Sequence, residues 1–155
     1  MQKSFSSKIL PAKLGDGAEL TVLALDSKAF WGYSEAFIKS CETALKITDE
    51  MIERLHSGTI REDNAYVGFY FLSEEESHAE LQLLYISPST IGKGYGRALF
   101  ESAMKKAISL GHKTMKIEAD PNAADFYKKM GAKHIGWCRS EVDDTRELPL
   151  FMMPL

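Results

Sequence analysis

The chain has 155 residues, 45% of them hydrophobic and 26% charged, a composition that suits one folded domain with one core. Nineteen basic and 22 acidic side chains give a net charge of −3 with histidine neutral, so no strong positive field is present to recruit nucleic acid or an anionic membrane surface. No run approaches the ~20 apolar residues that span a bilayer, and residues 1–10 lack the apolar core behind basic residues that marks a secretory signal, so the chain is expected in the cytoplasm. Cys41 and Cys138, far apart in a signal-free sequence, read as free thiols.

In chain order, residues 8–12 predict a short first strand. Residues 17–25 predict a helix, although Thr21 and Val22 weaken it. Residues 34–55 carry Phe37, Cys41 and Leu45 at helical spacing, with a break near Thr48-Asp49 where Asp49 is placed to cap a second short helix. A short strand around Thr59-Ile60-Arg61 precedes a turn at Asp63-Asn64. Residues 65–72 and 79–86 are rich in aromatic and β-branched side chains and predict an antiparallel pair, with Glu74-Glu75-Glu76 at the solvated tip. Residues 94–110 place Leu99, Ala103 and Ala107 in one column and Phe100, Met104 and Ile108 in another, the pattern of a helix packed on a sheet. Gly111 is its stop signal. A strand at 114–119, the turn Asp120-Pro121-Asn122, a short helix at 123–130 and strands at 132–138 and 148–153 complete a mixed α/β sheet with helices on both faces.

The densest signal is Ile91-Gly92-Lys93-Gly94-Tyr95-Gly96-Arg97, between a strand and a helix. Three glycines in five residues let several backbone N–H groups point into one concave space, and the helix that follows adds the positive end of its dipole. Such a loop holds phosphate. The nucleotide P-loop does not fit: Gly94 follows Lys93 where a hydroxyl belongs, and Ser87 stands where the first glycine belongs. The dinucleotide fingerprint fails as well, with Arg97 or Leu99 at its last position.

Three segments together carry a resemblance. They are Glu80-Leu81-Gln82-Leu83-Leu84-Tyr85-Ile86-Ser87-Pro88, then Gly92-Lys93-Gly94-Tyr95-Gly96-Arg97-Ala98-Leu99, then Ala119-Asp120-Pro121-Asn122 through Phe126-Tyr127 to Gly131-Ala132. In this order and spacing the chain resembles the GNAT (GCN5-related) N-acetyltransferase superfamily. The resemblance implies one domain over residues 1–155, a mixed, mostly antiparallel sheet flanked by helices with splayed central strands, acetyl-CoA as cosubstrate and no metal. It departs from the family's Q/R-x-x-G-x-G/A pattern at Ile91, where a polar residue is usual; Lys93 or Arg97 could supply the missing charge.

The resemblance also implies roles. The backbone of Leu84, Tyr85 and Ile86 would pair with the pantetheine arm, with the Tyr85 N–H polarising the thioester carbonyl. Gly92, Lys93, Gly94, Tyr95, Gly96 and Arg97 would hold the pyrophosphate, and Asn122 would hydrogen-bond the pantetheine while also reading as the cap of the short helix. Tyr127 is the expected general acid, since a phenol with a pKa near ~10 stays protonated at neutral pH and can donate to a thiolate. Glu80 is the candidate general base, or else a charge that binds a cationic amine; alternation puts it on one face with Gln82 and Leu84 until a bulge shifts the register. His78 and His134 read as surface or strand-end histidines.

The acceptor walls would be Phe30-Trp31-Gly32-Tyr33-Ser34 with Glu35, and residues 140–150. Arg146 there would bind an acceptor carboxylate or pair with an acid. The expected reaction moves an acetyl group to a small-molecule amine. A protein N-terminus or lysine, or a non-catalytic acyl-CoA-binding role, are the alternatives. The apolar run 148–153 suits either a dimer contact or the core.

Overall fold

The computed structural model describes residues 9–143 and 145–155. Three helices come first: α1 (Gly17–Ala29), α2 (Glu35–Cys41) and α3 (Asp49–Arg54). Then follow β1 (His56–Glu62), β2 (Ala65–Glu74), β3 (Ala79–Ile86), α4 (Tyr95–Ser109), β4 (Thr114–Glu118), α5 (Ala124–Lys129), β5 (Lys133–Arg139) and β6 (Glu147–Pro154).

The expected first strand is absent from the described part of its range; Lys8 lies outside the described residues. Leu10 makes a single bridge to Thr59, through Leu10 N–H to Thr59 O (3.1 Å) and Thr59 N–H to Leu10 O (2.7 Å). Pro11 has no N–H to extend it, and Ala12 N–H turns to the Ser57 hydroxyl at 2.9 Å. The helical stretch expected over 34–55 is two short helices with a wide gap. Ser34 caps α2 by accepting from Phe37 N–H. Thr48, rather than Asp49, caps α3 by accepting from Met51 N–H. Asp49 instead accepts from Gly15 N–H at 2.9 Å. The β1–β2 turn at Asp63-Asn64 has φ of 52° and 68°, the doubly left-handed turn that matches strand twist.

The six strands form one sheet in the order β1-β2-β3-β4-β6-β5. Every neighbour pair is antiparallel except β3–β4. Since β6 is paired on both sides, the last strand offers no free edge to a second copy; the edges are β1 and β5, and β5 exposes Ile135 and Trp137. One face packs against α4 and α5 around Leu99, Phe100, Met115, Ile117 and Phe151, all essentially buried. The other packs against α1, α2 and α3 around Leu20, Ala24, Cys41, Phe69 and Phe71. Both columns of α4 point to the sheet except at Ile108, which is exposed. Gly68 lets α4 come close, because a Cβ there would stand 2.8 Å from Leu99 Cδ1.

Two details of β3 position the site. Phe71 pairs with Leu83 and Leu72 with Leu81, so Gln82 is an extra residue, a bulge. Beyond it the alternation is reversed: Glu80 and Gln82 keep one face while Leu84 turns to the α4 side. In addition, β3 and β4 share only three pairs, Ala79 with Met115, Glu80 with Lys116 and Leu81 with Ile117. After these, β3 continues along β2 to Ile86 and β4 continues along β6 to Glu118. The sheet opens into a V between them.

Candidate active site

The V holds a cleft of about 270 Å³. Its walls are the diverging ends of β3 and β4, with Tyr127 and Phe126 from α5, Ile91 and Gly96 from the glycine loop, and Phe30 and Trp31 at the rim. Trp31, named with Phe30 as an acceptor wall, is 46% exposed and lines the cleft.

The backbone of β3 faces this cleft in a definite pattern. Ser87 N–H donates to Val67 O at 2.7 Å. In an antiparallel ladder alternate residues turn their polar groups to the same partner. Tyr85, opposite Phe69, therefore spends its N–H on β2, and the N–H and C=O of Leu84 and Ile86 turn toward the V. The free donor in this stretch is not at Tyr85, as expected from sequence, but at its two neighbours. The Tyr85 side chain lies on the opposite face, packed among the α1–α2 residues.

The glycine loop takes the form its composition implies. Gly92 and Gly94 have φ of 90° and 87°, values that an L side chain resists. Gly94 is the N-cap of α4, so the first-turn N–H groups, Gly96 and Arg97 among them, have no carbonyl within the helix to pair with. Gly96 borders the cleft, with the Phe126 ring 3.5 Å from where its Cβ would be. Glu62 anchors the loop from the β1–β2 turn: the Tyr95 hydroxyl donates to it, and Lys93 Nζ is 3.5 Å away. Arg97 pairs with Glu101 at 3.8 Å. The two cations expected to replace a polar residue at position 91 thus both have carboxylate partners, and Ile91 puts its side chain in the cleft wall.

Tyr127 is 6% exposed, set among Phe126 (5.1 Å between ring centroids), Phe100 (5.7 Å) and Phe151 (6.0 Å). Its hydroxyl has no hydrogen-bond partner among the described residues. Burial first, then the neighbouring Tyr85 and Asp120, push its pKa well above that of free tyrosine, so it holds its proton.

Asn122 is oriented differently from expectation. Asp120, not Asn122, caps the short turn before α5, accepting from Asn122 N–H at 2.8 Å. The Asn122 side-chain amide donates to the Tyr33 hydroxyl and to Asp120 Oδ1, each at 3.0 Å. Asp120 is the hub of this group. Lys28 Nζ is 2.5 Å from its Oδ2, the Tyr33 hydroxyl donates to it at 3.0 Å, and Arg146 lies 3.6 Å away. Burial alone would raise the Asp120 pKa; the hydrogen bond and charge of Lys28, with Asn122 N–H and Tyr33, outweigh it and hold the carboxyl below the usual range. Burial, then the Asp120 charge, push the Tyr33 phenol up to about 12. Arg146 donates to the Tyr33 hydroxyl and stacks over the Tyr33 and Phe37 rings. Of the two roles open to it in sequence, it takes the pairing with an acid.

Glu80 sits at the apex of the V, beside Lys116 at 3.7 Å. Burial, then a hydrogen bond to Glu118, raise its pKa, with Lys116 opposing. Glu80 does not itself line the cleft, whereas Glu118 does. Sequence reasoning gave no role to Glu118, which stands in the run Lys116-Ile117-Glu118-Ala119-Asp120. Among the described residues no group of three His, Cys, Asp or Glu is placed to hold a metal ion, and no helix is long and apolar enough to cross a membrane.

Residues 24–141 match the family described as Acetyltransferase (GNAT) domain. Two curated relatives are peptidyl-lysine N-acetyltransferases named YjaB. The Salmonella typhimurium strain LT2 protein is 42% identical over 78 residues, covering 50% of this chain and 48% of its own length. The Escherichia coli K12 protein is 41% identical over 85 residues, covering 55% and 52%. The chain thus spans about half the length of the curated relatives it matches. Among solved structures, a GCN5-related N-acetyltransferase from Rhodopseudomonas palustris aligns with a TM-score of 0.79 at 19% identity, covering 95% of this chain and 94% of that one. The PaiA N-acetyltransferase of Thermoplasma acidophilum, solved with coenzyme A, aligns at 0.76 with 21% identity, covering 95% and 98%. These structures share its fold. With the family match spanning most of the sequence, the chain belongs to the GNAT acetyltransferase family.

Proposed function

We propose that this protein is an acetyl-CoA-dependent N-acetyltransferase, acting as one domain over its 155 residues, and that its acceptor is the primary amine of a lysine side chain. The observation that carries the reaction is the parting of β3 and β4 after three residue pairs, beside the glycine loop and with Tyr127 in the wall. The donor supplies an acetyl group activated as a thioester. The turned-out N–H and C=O groups of Leu84 and Ile86 pair with an extended arm as an added strand would. The amides of Gly92, Gly94 and Gly96 and the first turn of α4 receive the pyrophosphate. Lys93 and Tyr95, fixed by Glu62, set the loop's shape, and Arg97 borders it. Asn122 acts through Tyr33 and Asp120 on the shape of the cleft. Tyr127 gives a proton to the departing thiolate, and the carboxyl groups at the apex, Glu80 and Glu118, stand where the amine must lose one.

For the acceptor, the charged residues that line the cleft, Glu118 and Asp120, are both carboxylates; with Asp120 held by Lys28 and Arg146, Glu118 is the one that suits an arriving ammonium. The names of the two curated relatives support lysine. A small-molecule amine is the second reading, favoured by the exposed Phe30 and Trp31 flanking a cleft of limited volume. Thiol release from acetyl-CoA, measured with lysine peptides, free lysine and simple alkyl and aryl-alkyl amines, tests both. Turnover highest on lysine peptides is expected, with the acetyl group found on the lysine by mass spectrometry. Turnover confined to small amines selects the second reading. No release above background hydrolysis, together with measurable coenzyme A binding, would make this a binding module instead.

A further inference from the structure

The glycine loop holds its lysine by both ends. Lys93 stands between Gly92 and Gly94, which have positive φ, and its N–H donates to Thr90 O at 3.2 Å. The Lys93 amide is therefore spent inside the loop, and only the side chain is left to meet a phosphate. That side chain reaches instead to β1, where Glu62 Oε1 lies 3.5 Å from Lys93 Nζ. Glu62 is held in turn by the Tyr95 hydroxyl, from the first residue of α4. This hydrogen bond is the largest cause raising the Tyr95 pKa, so the phenol stays a donor at neutral pH.

The two cations of the loop are held in different ways. Arg97 pairs with Glu101 one turn along its own helix, so that contact travels with α4. Glu62 belongs to another element, at the β1 end of the β1–β2 turn, and so it restrains Lys93 from outside the loop. Both partners of the Lys93–Glu62 pair are partly exposed, and an ion pair of that kind contributes little. An ammonium on a flexible stem can leave it for a stronger anion. A pyrophosphate is such an anion, because each of its phosphates carries a negative charge.

Resting on the acetyltransferase reading above, we propose that Glu62 is a positioning residue that sets how tightly the loop holds coenzyme A, because Lys93 must leave it to reach the pyrophosphate. Breaking the Lys93–Glu62 pair is part of every binding event and lowers affinity. Acetyl-CoA and the product coenzyme A carry the same pyrophosphate, so the carboxylate loosens both, and the departure of product is eased along with the weaker hold on the donor. A Glu62 that only anchors the loop has the opposite sign: without it the amides lose their arrangement and binding weakens.

The test is calorimetric binding of coenzyme A and acetyl-CoA to wild type, Glu62→Gln, Lys93→Gln and the double variant, at low and high salt, with the melting temperature of each. Glutamine keeps an oxygen for the Tyr95 hydroxyl and removes the charge. Glu62→Gln should bind both ligands more tightly, by about threefold to fivefold. The gain should shrink at high salt and be absent when Lys93 is also glutamine. Unchanged or weaker binding in a Glu62→Gln protein that melts as wild type does overturns the proposal and leaves Glu62 an anchor. A gain that persists in full in the double variant overturns it too, since Glu62 then acts without Lys93. Nitrogen-15 NMR of the lysine side chains reads the exchange in wild type, so the question is decided even where Glu62→Gln does not fold. The Lys93 ammonium signal, assigned by its loss in Lys93→Gln, should move on adding coenzyme A. An unmoved signal means that the lysine stays on Glu62, and the proposal fails. Wild type that binds no coenzyme A strikes the acetyltransferase reading itself, a result distinct from those above.

Discussion

The role proposed for Tyr127 combines two requirements that usually conflict. A proton donor to a thiolate must face the reacting space, yet it must sit dry enough to keep its proton. The rings of Phe100, Phe126 and Phe151 supply the dryness, and the position on α5 supplies the opening to the cleft. Tyr127→Phe keeps every ring contact and removes only the hydroxyl. It should lower kcat by about 10²-fold while leaving KM for acetyl-CoA and the melting temperature near wild type. An unchanged kcat in thiol release would remove Tyr127 from the acid role. Tyr127 was named from sequence through the family resemblance of the segment from Asp120 to Ala132, and the structure places it in the cleft wall. Glu118 was not named. Its neighbours Lys116 and Asp120 make an alternating charged strand end, and nothing local tells that β3 leaves β4 after Ile117. Asn122 was legible as a residue of the turn, but its bond to Tyr33 was not, because that partner lies 89 residues away.

Elements whose periodicity is long and uninterrupted, such as α4 and the β2–β3 pair, were legible nearly to their ends. The misreadings fall where a short segment depends on one distant bond. Residues 9–12 are tied to β1 by the bridge to Thr59 and the Ala12–Ser57 hydrogen bond rather than by a ladder, and the gap between α2 and α3 is set by the Thr21 hydroxyl, which receives Ile47 N–H at 2.9 Å. The Gln82 bulge was foreseen only as a possibility of the pattern, yet it decides which side of β3 each later side chain takes. The alternation along β3 makes an element-level prediction. On adding coenzyme A, the amides of Leu84 and Ile86 should gain hydrogen-exchange protection, whereas the Tyr85 amide, already spent on β2, should be protected before and after. Gain at Tyr85 alone would contradict the strand-addition geometry. At the loop, Gly94→Ala places a Cβ at φ of 87°, which costs ~1–2 kcal/mol. If that strain is relieved by moving the amides, KM for acetyl-CoA should rise about tenfold with a smaller change in kcat. A KM equal to wild type would mean the loop's shape does not set donor affinity.

At the scale of the whole molecule, two carboxylates hold together parts that the sheet alone does not. The two halves of the sheet meet through three β3–β4 pairs. On one side of that narrow seam Asp120 binds Lys28 of α1, Tyr33 of the α1–α2 loop and Arg146 of the β5–β6 connection. At the other end of β3, Glu74 accepts from His112 at 2.9 Å and His56 at 3.2 Å, and these hydrogen bonds, His112 first, lower its pKa. Both carboxyls are therefore more acidic folded than unfolded. A group of that kind stabilises the fold above its unfolded pKa, ~3.9 for Asp and ~4.3 for Glu, and the contribution is lost as pH falls through the lower folded value. The contribution of these two groups should thus be flat near neutrality and decline below about pH 4. Asp120 is the stronger case, because its side chain is 12% exposed and it faces two cations. Asp120→Asn leaves Lys28 and Arg146 uncompensated at every pH and should cost on the order of 3 kcal/mol at neutral pH. In wild type at low pH, protonated Asp120 leaves the same two cations uncompensated. The melting temperatures of wild type and variant should therefore be well separated at pH 7 and converge as the pH approaches the folded value of Asp120. A separation of the same size in acid would show that the loss comes from packing rather than from charge.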